Sequence, residues 1–162
     1  MISKKMAEQL NEQIKNEFYS AAYYFAISAY CSAKDYHGTA HYFRVQAGEE
    51  MNHALKIYDY LFDVGARAVV PALAQPPVEY TSIEDIFKKA LAHEQFITGC
   101  INQLMDLANS EKDHATANFL QWFVKEQIEE EANVNKILAQ LKMVGTDSRG
   151  LFLLDMELAK RA

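Results

Sequence analysis

The stretch AGEEMNHALKIYDYL, residues 47–61, reads as a helix whose apolar face is broken by charge. Phe43, Ala47, Glu50, Ala54, Ile57 and Leu61 recur at steps of three or four, the spacing of one helix face. Glu50 falls inside that row, and His53 shares its face three residues on. A carboxylate inside a helical core is costly unless something neutralises it. The ExxH pair alone is a weak signal, so its weight depends on what stands at matched depth elsewhere in the chain.

Working outward, the same pattern recurs. Glu17 precedes Glu50 by 33 residues and Glu94 precedes Gln127 by 33, while Glu130 follows Gln127 at the spacing of His53 from Glu50. Apolar rows predict four long helices, over about 4–34, 39–64, 83–109 and 114–143, and each row is interrupted by an acid or amide near its midpoint. Several carboxylates meeting from four helices are best neutralised by a pair of metal ions. Dimetal helical bundles take one Glu from each of two helices and a Glu-x-x-His pair from each of the other two. Here the first half obeys that rule, whereas Gln127 and Glu130 modify it in the second. One ion is expected on Glu17, Glu50 and His53, and the other on Glu50 as a bridge, Glu94 and Glu130, with Gln127 beside it. All-oxygen ligation of the second ion suits hard cations and exchange, so it is expected to be the looser.

Glu49, Glu126 and Glu129 add carboxylates beside this centre. They read either as a position for a third cation or as a solvated acidic face, where Glu126 and Glu130 repel at i, i+4. Tyr24 lies two turns from Glu17 on the same face, within reach of a metal-bound carboxylate. A satisfied core hydroxyl and an auxiliary electron-transfer role are both open for it. Trp122 is read chiefly as packing. His37, His41, His93 and His114 are assigned to the surface, and the six methionines to gap filling in the core.

The boundaries carry their own chemistry. Gly38 and Thr39 are expected to open the second helix and Gly65 to close it; Ser82 with Asp85 resembles a capping box, and Gly145 follows the fourth helix. All three prolines fall between residues 71 and 77, inside ARAVVPALAQPPVEYT, residues 66–81. Such a segment, extended, reaches roughly 53 Å, against about 42 Å for a long helix of the bundle. It can therefore cross the whole bundle and make the second and third helices parallel, relating the two helical hairpins by a pseudo-twofold axis. After Gly145, LFLLDMELAKR predicts a short apolar fifth helix. The chain is thus expected to be all-α and one domain, with 1–145 as a four-helix bundle and 146–162 as a short helix at a subunit interface.

Composition narrows the partners. A net charge of −6 speaks against nucleic-acid binding and suits a protein that attracts cations. No run approaches a membrane span, and MISKKMAEQL lacks the apolar core of a signal peptide. Cys31 and Cys100 form no CxxC pair and read as reduced, buried thiols, so a cytoplasmic location is expected.

Taken together, NEQIKNEFYSAAYY (11–24), AGEEMNHALKIYDYL (47–61), HEQFITGCI (93–101) and NFLQWFVKEQIEEE (118–131) resemble the non-haem bacterial ferritins over essentially the full chain. The resemblance implies a ferroxidase that binds two Fe(II), reduces oxygen or peroxide, and releases Fe(III) into a hollow shell of 24 subunits. It implies a dinuclear centre of Glu17, Glu50, His53, Glu94, Gln127 and Glu130, with Glu49, Glu126 and Glu129 at a third iron position. Two departures stand out. Bacterioferritins repeat ExxH on the fourth helix and bind haem through a methionine; Met51 sits where that ligand would, yet QIEE across Gln127–Glu130 favours the non-haem reading. Animal ferritins line their threefold pores with acids early in helix four, where this chain has Ala117 and Leu120, with Asp113 as a candidate substitute. Rubrerythrin-like peroxidases normally add paired CxxC motifs that are missing here, and DNA-protecting mini-ferritins lack the fifth helix. A plain helical interaction module gives no reason to bury carboxylates at one depth.

Overall fold

A computed structural model describes residues 2–162. Five helices account for most of them: α1 Lys4–Ala33, α2 His37–Asp63, α3 Ile83–Ser110, α4 His114–Val144 and α5 Ser148–Leu158. The four long helices fall where the apolar periodicity puts them. Every helix but α2 starts on an N-cap side chain that satisfies an otherwise free amide. Ser3 accepts from Met6 N at 2.9 Å, Ser82 from Asp85 N at 3.0 Å, Asp113 from Thr116 N at 3.0 Å and Asp147 from Gly150 N at 3.0 Å. The capping box at α3 closes one residue early, because Asp85 Oδ2 accepts from Thr81 N rather than from Ser82. At the other end of α4, Gly145 takes φ 61°, a conformation that glycine adopts freely.

The proline-bearing segment crosses the bundle as expected. Near its start, Asn11 of α1 donates to Arg67 O at 3.0 Å and accepts from Val69 N at 2.7 Å. Near its end, the Tyr30 hydroxyl donates to Tyr80 O at 2.6 Å. Asn11 and Tyr30 lie at opposite ends of α1, so the segment spans the bundle's length and α2 runs parallel to α3. None of the described helices is long and apolar enough to cross a membrane.

The core consists of two apolar clusters rather than one. At one end Tyr24, Ile27, Phe43, Ile86, Phe87 and Ile137 pack together. At the other, Met6, Leu10, Ile14, Leu61, Ile101, Leu120 and Phe123 do the same. Leu120 is fully buried in that second cluster and Asp113 is occupied at the α4 cap, its Oδ2 accepting from Thr116 Oγ1 at 2.5 Å. Between the clusters lies a buried polar layer.

α2 begins at His37, two residues before the expected start, for a reason far away in sequence. Tyr36 makes no side-chain cap. Instead Asp155 of α5 accepts from Gly38 N at 2.8 Å, Thr39 N at 2.7 Å and Thr39 Oγ1 at 2.7 Å. Gly38 permits this approach, since a Cβ there would lie 1.6 Å from Asp155 O. Leu154 and Leu158 bury themselves against the bundle, while Phe152, Leu153 and Met156 stay exposed. Asp155→Ala should destabilise the fold by about 1–2 kcal/mol, the usual worth of a helix cap, measured by denaturant unfolding. A loss within error would show that α5 docks through its leucines alone.

Candidate metal centre

Six polar residues occupy the layer between the two apolar clusters, one face of each long helix contributing. Glu17 comes from α1, Glu50 and His53 from α2, Glu94 from α3, Gln127 and Glu130 from α4. None is more than 4 % exposed. The apolar rows that build the helices also aim these residues inward, since each occupies a position of its row. The sequence-predicted set is thus brought to a single depth.

Two groups have ligand atoms close enough to share an ion. Glu17, Glu50 and His53 form one, and His53, Glu126 and Glu130 the other, with ligand atoms in each group lying within 4.8 Å of one another. His53 faces both: Nδ1 is 3.1 Å from Glu50 Oε2 and Nε2 is 4.0 Å from Glu126 Oε1. Glu94 joins neither. Its Oε1 accepts from the Tyr24 hydroxyl, and its Oε2 accepts from Gln127 Nε2 at 3.1 Å. The expected second set of Glu50, Glu94 and Glu130 is therefore close in depth, but Glu94 is turned to its own donors.

The outer acids divide. Glu126 is half-buried and joins the second group, whereas Glu129 is exposed and joins neither. Glu49 is half-buried and paired with Arg161. Trp122 packs edge-on against His53, ring centres 5.3 Å apart, with the Lys56 ammonium 4.4 Å from its own ring centre. Met51 is partly exposed on α2. Cys31 is buried and Cys100 half-buried, both free thiols.

One histidine differs from expectation. His37, His41 and His114 are exposed, but His93 is half-buried. Its Nε2 lies 2.8 Å from Ser20 Oγ, and its ring packs among Tyr19, Tyr23 and Tyr24. Burial holds its pKa below the usual imidazole value. A neutral, packed imidazole satisfied by a hydroxyl carries no signature that sequence spacing could reveal.

Two further residues were not anticipated. Gln13 Nε2 donates to Glu17 Oε1 at 2.7 Å. Gln46 Nε2 donates to Glu50 Oε1 at 3.1 Å and to Glu130 Oε2 at 2.8 Å. Each glutamine stands four residues before its glutamate, and the two are themselves 33 residues apart. That i, i+4 spacing was the available signal.

These donors do not satisfy the layer. Glu17 Oε2 is buried without any hydrogen-bond partner. Burial, then the neighbouring carboxylates, raise the Glu17 pKa well above its ordinary value. The same causes, led by burial and Glu50, lift Glu94 to about 8 and Glu130 to about 7. At His53 burial acts downward, but the hydrogen bond and charge of Glu50, with Glu17 and Glu130, prevail and raise it to about 9. Four carboxyls and one imidazole form a donor set that fits two divalent ions of intermediate hardness.

The pH dependence follows in sign. Glu94, Glu130 and His53 all hold protons more tightly folded than unfolded, so their contribution is complete at low pH and fades as pH rises through their folded values. The metal-free protein should therefore lose thermal stability between about pH 5 and 9, and a saturating divalent cation should reverse the trend. Melting temperatures of chelator-treated protein at pH 6 and pH 8.5 test this. A flat or rising profile without metal would contradict the protonated layer.

Comparison with known proteins places this geometry. The family model "Ferritin-like domain" matches residues 7–144. The chain is 43 % identical over 162 residues to a bacterial non-heme ferritin of Staphylococcus saprophyticus, covering all of this chain and 97 % of that one. It is 41 % identical over 158 residues to a probable bacterial non-heme ferritin-like protein of Haemophilus influenzae, covering 98 % and 96 %. Among solved structures, an open pore ferritin from the archaeon Archaeoglobus fulgidus superposes with a TM-score of 0.99 at 41 % identity, covering 100 % of this chain and 99 % of that one. The matched region contains α1 from residue 7 onward, the whole of α2, α3 and α4, and every residue of the polar layer, and the chain belongs to the ferritin-like family.

Proposed function

We propose that this protein stores iron, oxidising Fe(II) at the centre between the four helices and passing Fe(III) into a shell built from copies of itself. The observation that carries the reading is the buried layer itself: four carboxyls, Glu17, Glu50, Glu94 and Glu130, at one depth, with a Glu17 oxygen left unpartnered. Two Fe(II) bring four positive charges to four carboxylates. Family membership over the full chain and the similarity to ferritins support the same reading.

In this reading Glu17, Glu50 and His53 hold the first Fe(II). Glu130 holds the second with Glu50 as bridge, and Glu94 joins by leaving one of its present donors. Gln127 is neutral and orients Glu94, adding no charge. Each Fe(II) gives one electron. With oxygen as oxidant, two electrons and two protons yield hydrogen peroxide; with peroxide, the same two electrons and two protons yield two waters. Tyr24 stands against Glu94, and when peroxide is reduced with only one Fe(II) bound it can supply the second electron as its phenolic proton passes to that carboxylate. Glu126, Glu49 and the exposed Glu129 serve a third iron on the way to the mineral.

The shell is proposed as a homo-oligomer of 24 subunits, working in the cytoplasm. The exposed apolar residues Phe152, Leu153 and Met156 on α5 support a subunit contact there, since a water-facing apolar patch favours association.

Two substitutions test the centre. Glu50→Ala should slow the fast phase of Fe(II) oxidation by at least about 100-fold, the upper end of what loss of a ligand's mere hydrogen-bond partner costs, read by stopped-flow absorbance. An unchanged initial rate removes Glu50 from the site. Glu130→Ala should weaken the second Fe(II) and largely spare the first, read by anaerobic titration; equal loss of both ions would count against the asymmetry.

A further inference from the structure

Arg161 lies three residues beyond the end of α5 and folds back onto α2. Its Nη2 pairs with the Glu49 carboxylate, and its Nη1 donates to Gln46 Oε1 at 2.6 Å. The guanidinium lies 4.3 Å from the Tyr42 ring centre, and the Arg161 carbonyl is 2.7 Å from His41 Nε2. With 19 % of its side chain exposed, it is not an ordinary surface arginine. Nothing in the oxidation chemistry above uses it.

Two consequences follow from the fork of a guanidinium, which can hold two acceptors at once. By donating to Gln46 Oε1, Arg161 fixes which way that amide points. Gln46 must then present its NH2 to Glu50 and Glu130, where both bonds are found. By pairing with Glu49, the other arm occupies a carboxylate adjacent in sequence to Glu50. The outer metal-capable group comprises His53, Glu126 and Glu130, and Glu49 is not among them. Its charge is already answered by Arg161.

We propose that Arg161 is a built-in competitor for the third cation. It holds Glu49 until a cation at the third position, beside Glu126, takes that carboxylate, and the side chain then moves off. Arg161 already lines a groove of about 350 Å³, together with Asn133, Gln140, Glu157, Lys136 and Lys160, and the side chain can swing into it towards Glu157. Competition is expected because an ion pair and a metal bond draw on the same carboxylate lone pairs. Arg161 is thus a positioning residue, setting both the orientation of Gln46 and the occupancy at which the third position fills. The inference rests on the dinuclear reading above, which supplies the two tighter ions.

Anaerobic calorimetric titration of the assembled protein with Zn(II), which cannot be oxidised, tests it. In Arg161→Gln the third and weakest ion should bind roughly fivefold more tightly, the scale of a partly exposed ion pair. In a Glu49→Gln background the same substitution should produce no gain. An unchanged or weaker third ion in Arg161→Gln overturns the proposal, and so does a gain that persists without Glu49. A wild-type protein that binds no pair of tight ions overturns the dinuclear reading itself, a separable result. Wild-type crystals soaked to full zinc occupancy of the outer position give a check that needs no variant. There Glu49 should sit on the metal with Arg161 withdrawn, and an intact Arg161–Glu49 pair at full occupancy overturns the proposal.

Discussion

Everything in this molecule is arranged around one unfavourable act: four carboxyl groups are taken out of water at one level of a helical bundle. Ionised, each such group costs several kcal/mol to bury, and neighbouring charges add to the cost. A folded chain can answer in two ways. It can protonate the acids, which the raised pKa values of Glu17, Glu94 and Glu130 reflect. It can also bring in cations. The first answer keeps the bundle folded without metal, and the second gives the bundle a use. A site that exchanges protons for metal suits a cargo that passes through.

The apolar core yields to this layer and is split in two. Each half is an ordinary packed cluster, aromatic-rich around Tyr24, Phe43 and Phe87 at one end and aliphatic-rich around Leu10, Ile14 and Ile101 at the other. Such clusters are close-packed and barely compressible, so they hold the four helices at fixed spacing above and below the polar level. The crossing segment matters for the same reason. By running the length of α1, from Asn11 to Tyr30, it makes α2 and α3 parallel. Midpoints then meet midpoints, and the acids converge without any loop having to carry them.

What the sequence disclosed, and what it hid, divides along the range of the interactions. Rows at helical spacing revealed the four long helices, and the 33-residue repeat of Glu17–Glu50 and Glu94–Gln127 marked the residues of the buried polar layer. These are properties of single helices and of the symmetry relating them. The cap on α2 was hidden, because its acceptor is Asp155, 116 residues from Thr39. The grip of Arg161 on Glu49, 112 residues apart, was hidden in the same way. His93 was misplaced on the surface because its partner Ser20 lies across the helix interface. Glu94 illustrates a subtler limit. Spacing placed it at the level of the buried layer, but its rotamer follows from Tyr24 and Gln127, which each hold one of its oxygens.

The pseudo-twofold that relates the two hairpins is obeyed by the backbone and broken by the donors. In the first hairpin Gln13 and Gln46 stand one turn before Glu17 and Glu50 and hold their carboxylates from within the same helix. The equivalent positions in the second hairpin are Ala90 and Phe123, which are apolar and buried. Glu94 must therefore find its donors elsewhere. It finds a phenol from α1 and an amide from α4, so its orientation depends on two other helices rather than its own. Gln127 matters doubly here, because a glutamate at that position would add a fifth buried acid and could offer Glu94 no N–H. The neutral side chain keeps the buried acids of the layer at four, and it leaves the second hairpin with the more adaptable half of that layer.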